Sequence, residues 1–190
     1  MGSAHSERDA AARLPDGDIV ALLLEQHARI RELFANVEAE AGEARKAAFD
    51  ALRALLAVHE VAEEMVVRPV VREFVGEQET TARDREEAAA AEVLKQLEGL
   101  DAGSPEFQEM IGGLKHSVSE HADAEESQEF PALVEQCTQE RRLQMGKRLQ
   151  ELEKLAPTHP HPKAAGKPAV LMLTGPFAAM LDRVRDAIKS

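Results

Sequence analysis

One phrase occurs twice in the sequence: HEVAEEMVVRP, beginning at His59, and HADAEESQEFP, beginning at His121. Both copies read H-x-x-A-E-E-x-x-x-x-P. Residues four apart on an α-helix lie side by side, so the first copy places His59 beside Glu63 and the second places His121 beside Glu125. Each pair is in phase with the apolar residues around it, which puts it on the core-facing side of its helix. The repeat therefore predicts two helices that each turn a histidine and a glutamate into one protein core.

Apolar residues follow the helical period along most of the chain, and no segment alternates with period two for long. The first predicted helix begins at Asp16 or Asp18, and the second runs from about Glu43 to Val75. The third begins at Thr80 or Thr81 and ends at about Leu100, and the fourth begins at Ser104 and Pro105 and continues through Pro131. A fifth runs from about Thr138 to Leu155, and a short sixth covers residues 177–189. Pro69 lacks an N–H group and is expected to kink the second helix. Four long helices with short connections predict an all-α, antiparallel four-helix bundle, with an additional fifth helix and a short C-terminal helix.

The sequence divides into three regions: a flexible leader over residues 1–15, a helical bundle over 16–155, and a Pro-rich linker with a short amphipathic helix over 156–190. The last region holds five Lys or Arg and two Asp or Glu, a net charge of +3. Since the whole chain carries −12, residues 1–155 carry −15. We expect the basic C-terminal helix to dock on the acidic bundle.

The net charge of −12 argues against nucleic acid as a partner, because the phosphates would repel the chain. The longest uncharged stretch, residues 168–181, is too short to cross a bilayer, so no membrane partner is expected. A single cysteine, Cys137, excludes an internal disulfide and is typical of a reducing compartment. The N-terminal residues contain no apolar run of the kind found in signal peptides. These features together predict a cytoplasmic protein.

The buried His and Glu pairs of the two phrases indicate a metal site. A buried carboxylate without a partner is costly, and few Lys or Arg lie on these two helical faces. A divalent cation supplies the missing positive charge, and histidine with glutamate suits iron, manganese or zinc. A bundle that contributes one His/Glu pair from each of two helices is typical of dinuclear carboxylate sites. The phrase is thus expected to occur twice because each copy serves one side of a two-metal centre.

Three further residues lie close to these pairs. His27 falls on the apolar stripe of the first helix; a single such histidine is more often a hydrogen-bonded core residue, but its phase with the two pairs favours a ligand. Glu60 adjoins His59 and is a candidate that reaches a metal from the side. Glu64 and Glu126 lie about 100° around the helix from their neighbouring glutamates, and we expect them to be solvated or to lie outside the ligand set.

These segments resemble the hemerythrin-like, HHE cation-binding family over about residues 18–155. The resemblance rests on LLEQHARI around residue 27, LLAVHEVAEE at 55–64, DREEAAAAEVLKQLEGLDAGSPEF at 84–107 and HADAEESQEFPAL at 121–133. The C-terminal sequence is similar to the ending of an actinobacterial branch of the family. The resemblance implies a four-helix bundle around a non-haem di-iron centre that binds oxygen or senses oxygen, nitric oxide or iron. It also implies six metal ligands: His27, His59, Glu63, His121 and Glu125, with Glu60 as a carboxylate ligand used by some members.

The third helix departs from the family pattern. Many members read EEH where this chain has Glu86, Glu87 and Ala88, so a ligand histidine is missing. Glu87 is the best substitute because it shares a helical face with the apolar residues of that helix, and Asp84, one turn earlier, is a second candidate. Losing this nitrogen makes one metal's surroundings richer in oxygen, which argues against simple reversible oxygen carriage.

The expected protein binds a small diatomic ligand or peroxide at a dinuclear, iron-containing centre. The expected ligands form two sets: His27, His59 and Glu60 for one ion, and His121, Glu125 and Glu87 for the other. Glu63 and Glu125 are the expected bridges. Two alternatives remain open from the sequence: a carboxylate-rich di-iron oxidase or peroxide-consuming enzyme, and a metal-poor scaffold that uses its C-terminal helix to bind a partner.

Overall fold

The structure is a computed structural model and describes residues 2–155 of the chain. Helices are the regular elements of these residues. The helices are α1 (Ala4–Ala11), α2 (Ile19–Ala39), α3 (Gly42–Ala62), α4 (Arg68–Val75), α5 (Glu77–Glu98), α6 (Pro105–Ala124), α7 (Phe130–Gln136) and α8 (Gln139–Leu155). Two single π-helical turns, Glu63–Val67 and Glu125–Glu129, join α3 to α4 and α6 to α7. The prediction of an all-helical bundle is confirmed.

Capping residues define the starts of two of the bundle helices. The Asp18 side chain accepts a hydrogen bond from the Val20 N–H at 3.0 Å, and α2 begins at the next residue. Ser104 Oγ accepts from the Phe107 N–H at 3.1 Å, with Pro105 as the first residue of α6. Each cap satisfies an N–H group that has no partner within its helix. Both starts agree with the sequence prediction.

The buried apolar residues form two clusters, one on each side of a polar layer. On α2, Leu23 and Leu24 belong to one cluster, whereas Ile30 and Leu33 belong to the other. His27 lies between these pairs in the sequence and is 2 % exposed. The repeated phrase follows the same order: on α3 His59 lies between Leu56 of one cluster and Val61 of the other, and His121 and Glu125 lie between Leu114 and Phe130. The apolar clusters thus surround a layer in which polar groups are shielded from water.

The structure corrects the expectation for the first fifteen residues. The sequence predicts a flexible leader there, but residues 4–11 form α1, which packs against α2. Ser3 caps this helix by accepting a hydrogen bond from the Ser6 N–H. Glu7 and Ala11 of α1 are buried. The leader is therefore part of the folded unit.

The third predicted helix, α5, begins earlier than its sequence suggests. It starts at Glu77 after Gly76, whose φ of 92° lies in the region that favours glycine. Thr80, one of the two predicted caps, instead lies inside the helix, and its hydroxyl donates to the Glu77 carbonyl at 3.1 Å. A glycine in this conformation lets the chain turn directly from α4 into α5.

Helix α8 closes one end of the bundle. The Arg142 guanidinium donates to Asp18 Oδ2 at 2.8 Å, which ties α8 to the start of α2. Gly146 faces the Gly17 carbonyl so closely that a methyl group there would collide with it. The predicted linker and C-terminal helix of residues 156–190, including their docking on the bundle, lie outside the described residues. Among the helices of residues 2–155, none is long and apolar enough to cross a membrane.

Candidate metal centre

Two groups of side chains lie close enough to hold metal ions. In the first position, His27, His59, Glu63 and Glu125 each offer one donor atom, and these atoms lie within 4.8 Å of one another. In the second position, the same holds for Glu63, Glu87, His121 and Glu125. Glu63 and Glu125 belong to both groups. All four donors of the first position are buried, whereas Glu87 and His121 of the second are half-buried.

The two shared carboxylates divide their oxygens between the positions. Glu125 Oε2 lies 3.4 Å from His27 Nε2, and its Oε1 lies 3.1 Å from His121 Nε2. Glu63 Oε1 lies 3.5 Å from His59 Nε2, and its Oε2 lies 4.0 Å from His121 Nε2. One oxygen of each carboxylate therefore faces each position. This is the arrangement that a carboxylate needs in order to bridge two ions.

Each of the three imidazoles is held by a contact at Nδ1. Each Nδ1 lies within hydrogen-bond distance of a side-chain oxygen: Glu126 Oε1 at 2.9 Å from His27, Gln26 Oε1 at 2.8 Å from His59, and Glu86 Oε2 at 2.9 Å from His121. An acceptor at Nδ1 favours the tautomer with its proton there, which leaves the Nε2 lone pair for a metal. All three Nε2 atoms point to the shared carboxylates, as the distances above require.

Further contacts hold these acceptors in place. Gln26 donates from Nε2 to Glu153 Oε1 at 2.8 Å, which connects α8 to the site. Arg31 lies 3.9 Å from Glu126 Oε1 and also contacts the buried Glu7 of α1. The helix that the sequence predicts as a flexible leader thus supports, through Arg31, the group that orients His27. Neither α1 nor α8 contributes a donor atom, but both stabilise the orientation of one.

Buried carboxylate oxygens without hydrogen-bond partners favour a cation beside them. Both oxygens of Glu63 and Oε2 of Glu125 are buried and accept no hydrogen bond. If Nδ1 carries the proton on each imidazole, these oxygens face nitrogen lone pairs, which is repulsive without a positive charge between them. The donor set of three imidazoles with shared carboxylates therefore fits divalent metal ions.

When metal is absent, protons on the imidazoles supply positive charge beside the carboxylates. Burial lowers the pKa of His27, but its contacts with Glu125 and Glu126 and the charges of Glu125 and Glu63 outweigh burial and raise the pKa to about 9. Burial also lowers the pKa of His121, but the charge of Glu125 and its hydrogen bond raise the pKa to about 11. For His59 burial dominates and lowers the pKa. At neutral pH the apo-centre thus holds two imidazolium groups where metal ions would compete with protons.

Three further carboxylates that the sequence singles out lie in three different surroundings. Glu87, the expected substitute for the missing histidine, belongs to the second position, and its Oε1 lies 3.7 Å from His121 Nε2. Glu60 belongs to neither donor group, although it lines the adjoining cavities. Burial raises the pKa of Glu60 to about 8. Asp84, the second candidate on α5, instead lies 3.2 Å from Arg68 Nε.

Arg68 is a buried cation at the centre that helical periodicity does not reveal. Its side chain is 4 % exposed. It contacts Glu87 through Nη2, and it lies 3.8 Å from Glu63 Oε2 and 3.7 Å from Glu129 Oε2. The sequence suggested that few cationic groups lie on these faces, but one of them contacts a donor of the second position directly.

The π-helical turns explain why Arg68 faces the centre. On a regular α-helix, a residue five positions after Glu63 would lie about 140° around the helix from it. In the π turn the Arg68 N–H donates to the Glu63 carbonyl, an i to i+5 hydrogen bond that brings both residues to one side. The second copy does the same: the Phe130 N–H donates to the Glu125 carbonyl, and the Phe130 ring stacks on His27 with centroids 5.4 Å apart. π turns are frequent at functional sites.

A cavity of about 460 Å³ adjoins the centre. Its walls come from α2, α3, α5 and α6 and include His27, His59 and His121. Apolar side chains such as Phe34 and Leu56 line the same space. A small ligand therefore has room beside the donor atoms.

Comparisons with known proteins agree with this geometry. The family of the hemerythrin HHE cation binding domain matches residues 18–133. An uncharacterised hemerythrin-like protein of Schizosaccharomyces pombe is 34% identical over 137 residues, which cover 70% of this chain and 68% of that protein. A protein of Nostoc named DNA nickase is 35% identical over 78 residues, which cover 41% of this chain and 22% of that protein. No solved structure matches the chain.

Proposed function

The chain belongs to the hemerythrin HHE cation-binding family and is a metal-binding protein, and we propose that it holds two iron ions and binds a diatomic gas or peroxide beside them. The observation that carries the proposal is the division of the Glu63 and Glu125 oxygens between the two positions. A single ion needs one oxygen from each carboxylate. Two ions account for all four oxygens, three of which otherwise lie buried without a hydrogen bond.

The donor types favour iron. Mixed imidazole and carboxylate donors suit iron and manganese, and zinc also binds them but prefers four ligands in a closed tetrahedron. Iron bound here would supply an open coordination position for a small ligand. Apolar side chains such as Phe34 and Leu56 line part of the adjoining cavity, and its volume admits oxygen, nitric oxide or hydrogen peroxide.

The chain's own residues orient the donors and shield them. Glu126, Gln26 and Glu86 hold the three imidazoles with Nε2 toward the centre. The Phe130 ring covers one face of His27. His27, His59, Glu63 and Glu125 are themselves buried, so little water competes with these carboxylates and imidazoles.

A second function is supported by the composition of the second position. Glu63, Glu87 and Glu125 surround one imidazole there, so an ion in this position has an oxygen-rich set of donors. Hard oxygen donors suit ions in higher oxidation states, which favours a peroxide-consuming enzyme or oxidase over a reversible carrier. Steady consumption of hydrogen peroxide by the iron-loaded protein would support this alternative. Binding of the ligand without its consumption would support the first proposal.

Iron content and absorption of the aerobically purified protein test the proposal. We expect about two iron ions per chain and near-ultraviolet charge-transfer bands. Glu125→Gln removes a donor from both positions and should lower iron content toward zero, because the loss of a shared ligand affects both ions. Glu120→Gln, on the exposed side of the same helix, is the control and should keep the iron. A colourless wild-type protein that binds no iron would contradict the proposal.

A further inference from the structure

The repeated phrase places Arg68 and Phe130 at equivalent sites. Each is the ninth residue after the histidine of its copy, and each closes a π turn on the carbonyl of a shared glutamate. Phe130 stacks on His27 of the first position. Arg68 contacts Glu87 of the second position. A stacked pair of rings on one side of the centre therefore has an ion pair as its counterpart on the other side.

Arg68 contacts the same oxygens that an ion in the second position would use. Glu87 Oε1 is the oxygen that lies 3.7 Å from His121 Nε2, and Arg68 Nη2 contacts this same atom. Glu63 Oε2 lies 4.0 Å from His121 Nε2 and 3.8 Å from Arg68 Nη2. The guanidinium and a metal ion would thus share two oxygen atoms.

The charge of Arg68 is permanent. An arginine does not deprotonate in proteins, so pH cannot remove this cation. In a buried site, water screens it poorly, and an ion bound to the same oxygens would be repelled by it. Two of the three carboxylates of the second position, Glu63 and Glu87, are therefore partly neutralised before any metal arrives. At the first position the equivalent residue, Phe130, is uncharged and stacks on His27.

The structure also offers Arg68 an alternative place. A cavity of about 560 Å³ is lined by Arg68, Asp84, Glu87 and Ala88. Asp84 Oδ1 already lies 3.2 Å from Arg68 Nε. If the Arg68 guanidinium left Glu87, it would keep its contact with Asp84 and would have room in this cavity. Its departure would free Glu87 Oε1.

We propose that Arg68 is a built-in counter-ion of the second position, which must withdraw from Glu87 before a metal ion binds there. The two positions then load in order, the first tightly and the second weakly. The second ion becomes the exchangeable one, and its occupancy depends on metal supply. This inference rests on the proposed two-metal function, since it concerns how the second of the two ions binds.

Titration of the full-length apo-protein with Co²⁺ tests the order of loading by calorimetry and by visible absorption. We expect two steps in the wild type. Arg68→Met keeps the side chain long and apolar but removes its charge, and should tighten the second step by about 10- to 100-fold, the range typical of groups just outside a metal's ligands. The first step should change much less. Arg72→Met is the matched control, because Arg72 lies one turn along the same helix, half-exposed and 3.9 Å from Asp84, and should leave both steps unchanged.

Several outcomes would overturn the inference. Two wild-type steps of equal affinity would show that Arg68 does not weaken the second position, while leaving the two-metal function intact. An unchanged second step in a folded Arg68→Met protein would do the same. If that variant fails to fold, Arg68→Lys retains a buried cation that cannot fork between two carboxylates, and it should tighten the second step by a smaller factor; no tightening would count against the inference. A wild type that binds no Co²⁺ would instead contradict the proposed function itself.

Discussion

The first and second positions share Glu63 and Glu125 but differ in nearly everything else around them. The first adds two buried imidazoles, one of which is covered by the Phe130 ring. The second adds one half-buried imidazole and the Glu87 carboxylate, which is held by a guanidinium. The group that orients His121 is Glu86, whose side chain is 45% exposed, whereas the group that orients His59 is the buried Gln26. The second position is thus richer in oxygen, more open and already partly neutralised.

This difference shows how a repeated phrase produces two unequal sites. The phrase contributes the shared carboxylates and one histidine to each position, so both positions exist on either side of these carboxylates. The remaining donors come from α2 on one side and α5 on the other, and these helices do not repeat each other: α2 presents His27, while α5 presents Glu87 with Ala88 beside it. Asymmetry therefore arises from the helices outside the repeat and from the residue that closes each π turn.

The strongest test of the comparison restores the missing imidazole. Ala88→His adds a nitrogen donor where Ala88 lines the cavity beside Glu87, and should raise the iron retained after chelator dialysis toward two ions per chain. Glu87→Gln weakens the second position and should lower retained iron toward one, since an amide is a poorer ligand than a carboxylate. Iron is counted by mass spectrometry after identical dialysis.

Glu92→His, on an exposed part of the same helix, controls for a histidine that merely adds surface binding. If the parent already retains two ions and Glu87→Gln retains as many, Glu87 is not a ligand and the proposed inequality between the positions is wrong.

Removing the group that orients one histidine should lower the metal affinity of that histidine's position more than that of the other. This effect is expected to be smaller. Glu126→Ala removes the acceptor at His27 Nδ1 and should weaken the first position by about tenfold, while Glu86→Ala removes the acceptor at His121 and should weaken the second. The physical reason is that each imidazole loses the bond that fixes its tautomer. Stepwise Co²⁺ titration measures both. Equal effects of each variant on both steps would show that the positions do not depend on separate supports.

The smallest expected effect is the release of protons when metal binds. In the apo-protein, His27 with a pKa of about 9 and His121 with a pKa of about 11 are both protonated at pH 7. Metal binds only the neutral imidazole, so loading should release about one proton from each. The release from His27 should disappear as the pH rises through 9, whereas that from His121 should persist to higher pH. Calorimetry in two buffers of different ionisation enthalpy counts the protons, and NMR of the apo-protein rings follows each titration directly. Loading without proton release at pH 7 would contradict the apo-state described above.

The local pattern of the sequence predicted much of the fold and the central donors. Helical period and capping residues indicated the bundle and the starts of α2 and α6, because both depend on residues within a few positions of one another. The spacing of four residues likewise placed His59 beside Glu63 and His121 beside Glu125, and the apolar stripe of α2 brought in His27. These are short-range features that a single sequence carries directly.

Other features were decided only by the tertiary structure. Arg68 reaches the centre because a π turn shifts the helical phase by one residue, which a regular period cannot anticipate. The N-terminal residues pack on α2, where Glu7 contacts Arg31, a partner twenty-four residues away. Glu87 joins the donors while Asp84 lies beside Arg68, and Glu60 lies outside both donor groups. The sequence by itself determined which groups could bind metal; the packing of helices distant in sequence decided which of them meet, and that one of the two positions shares its oxygens with an arginine.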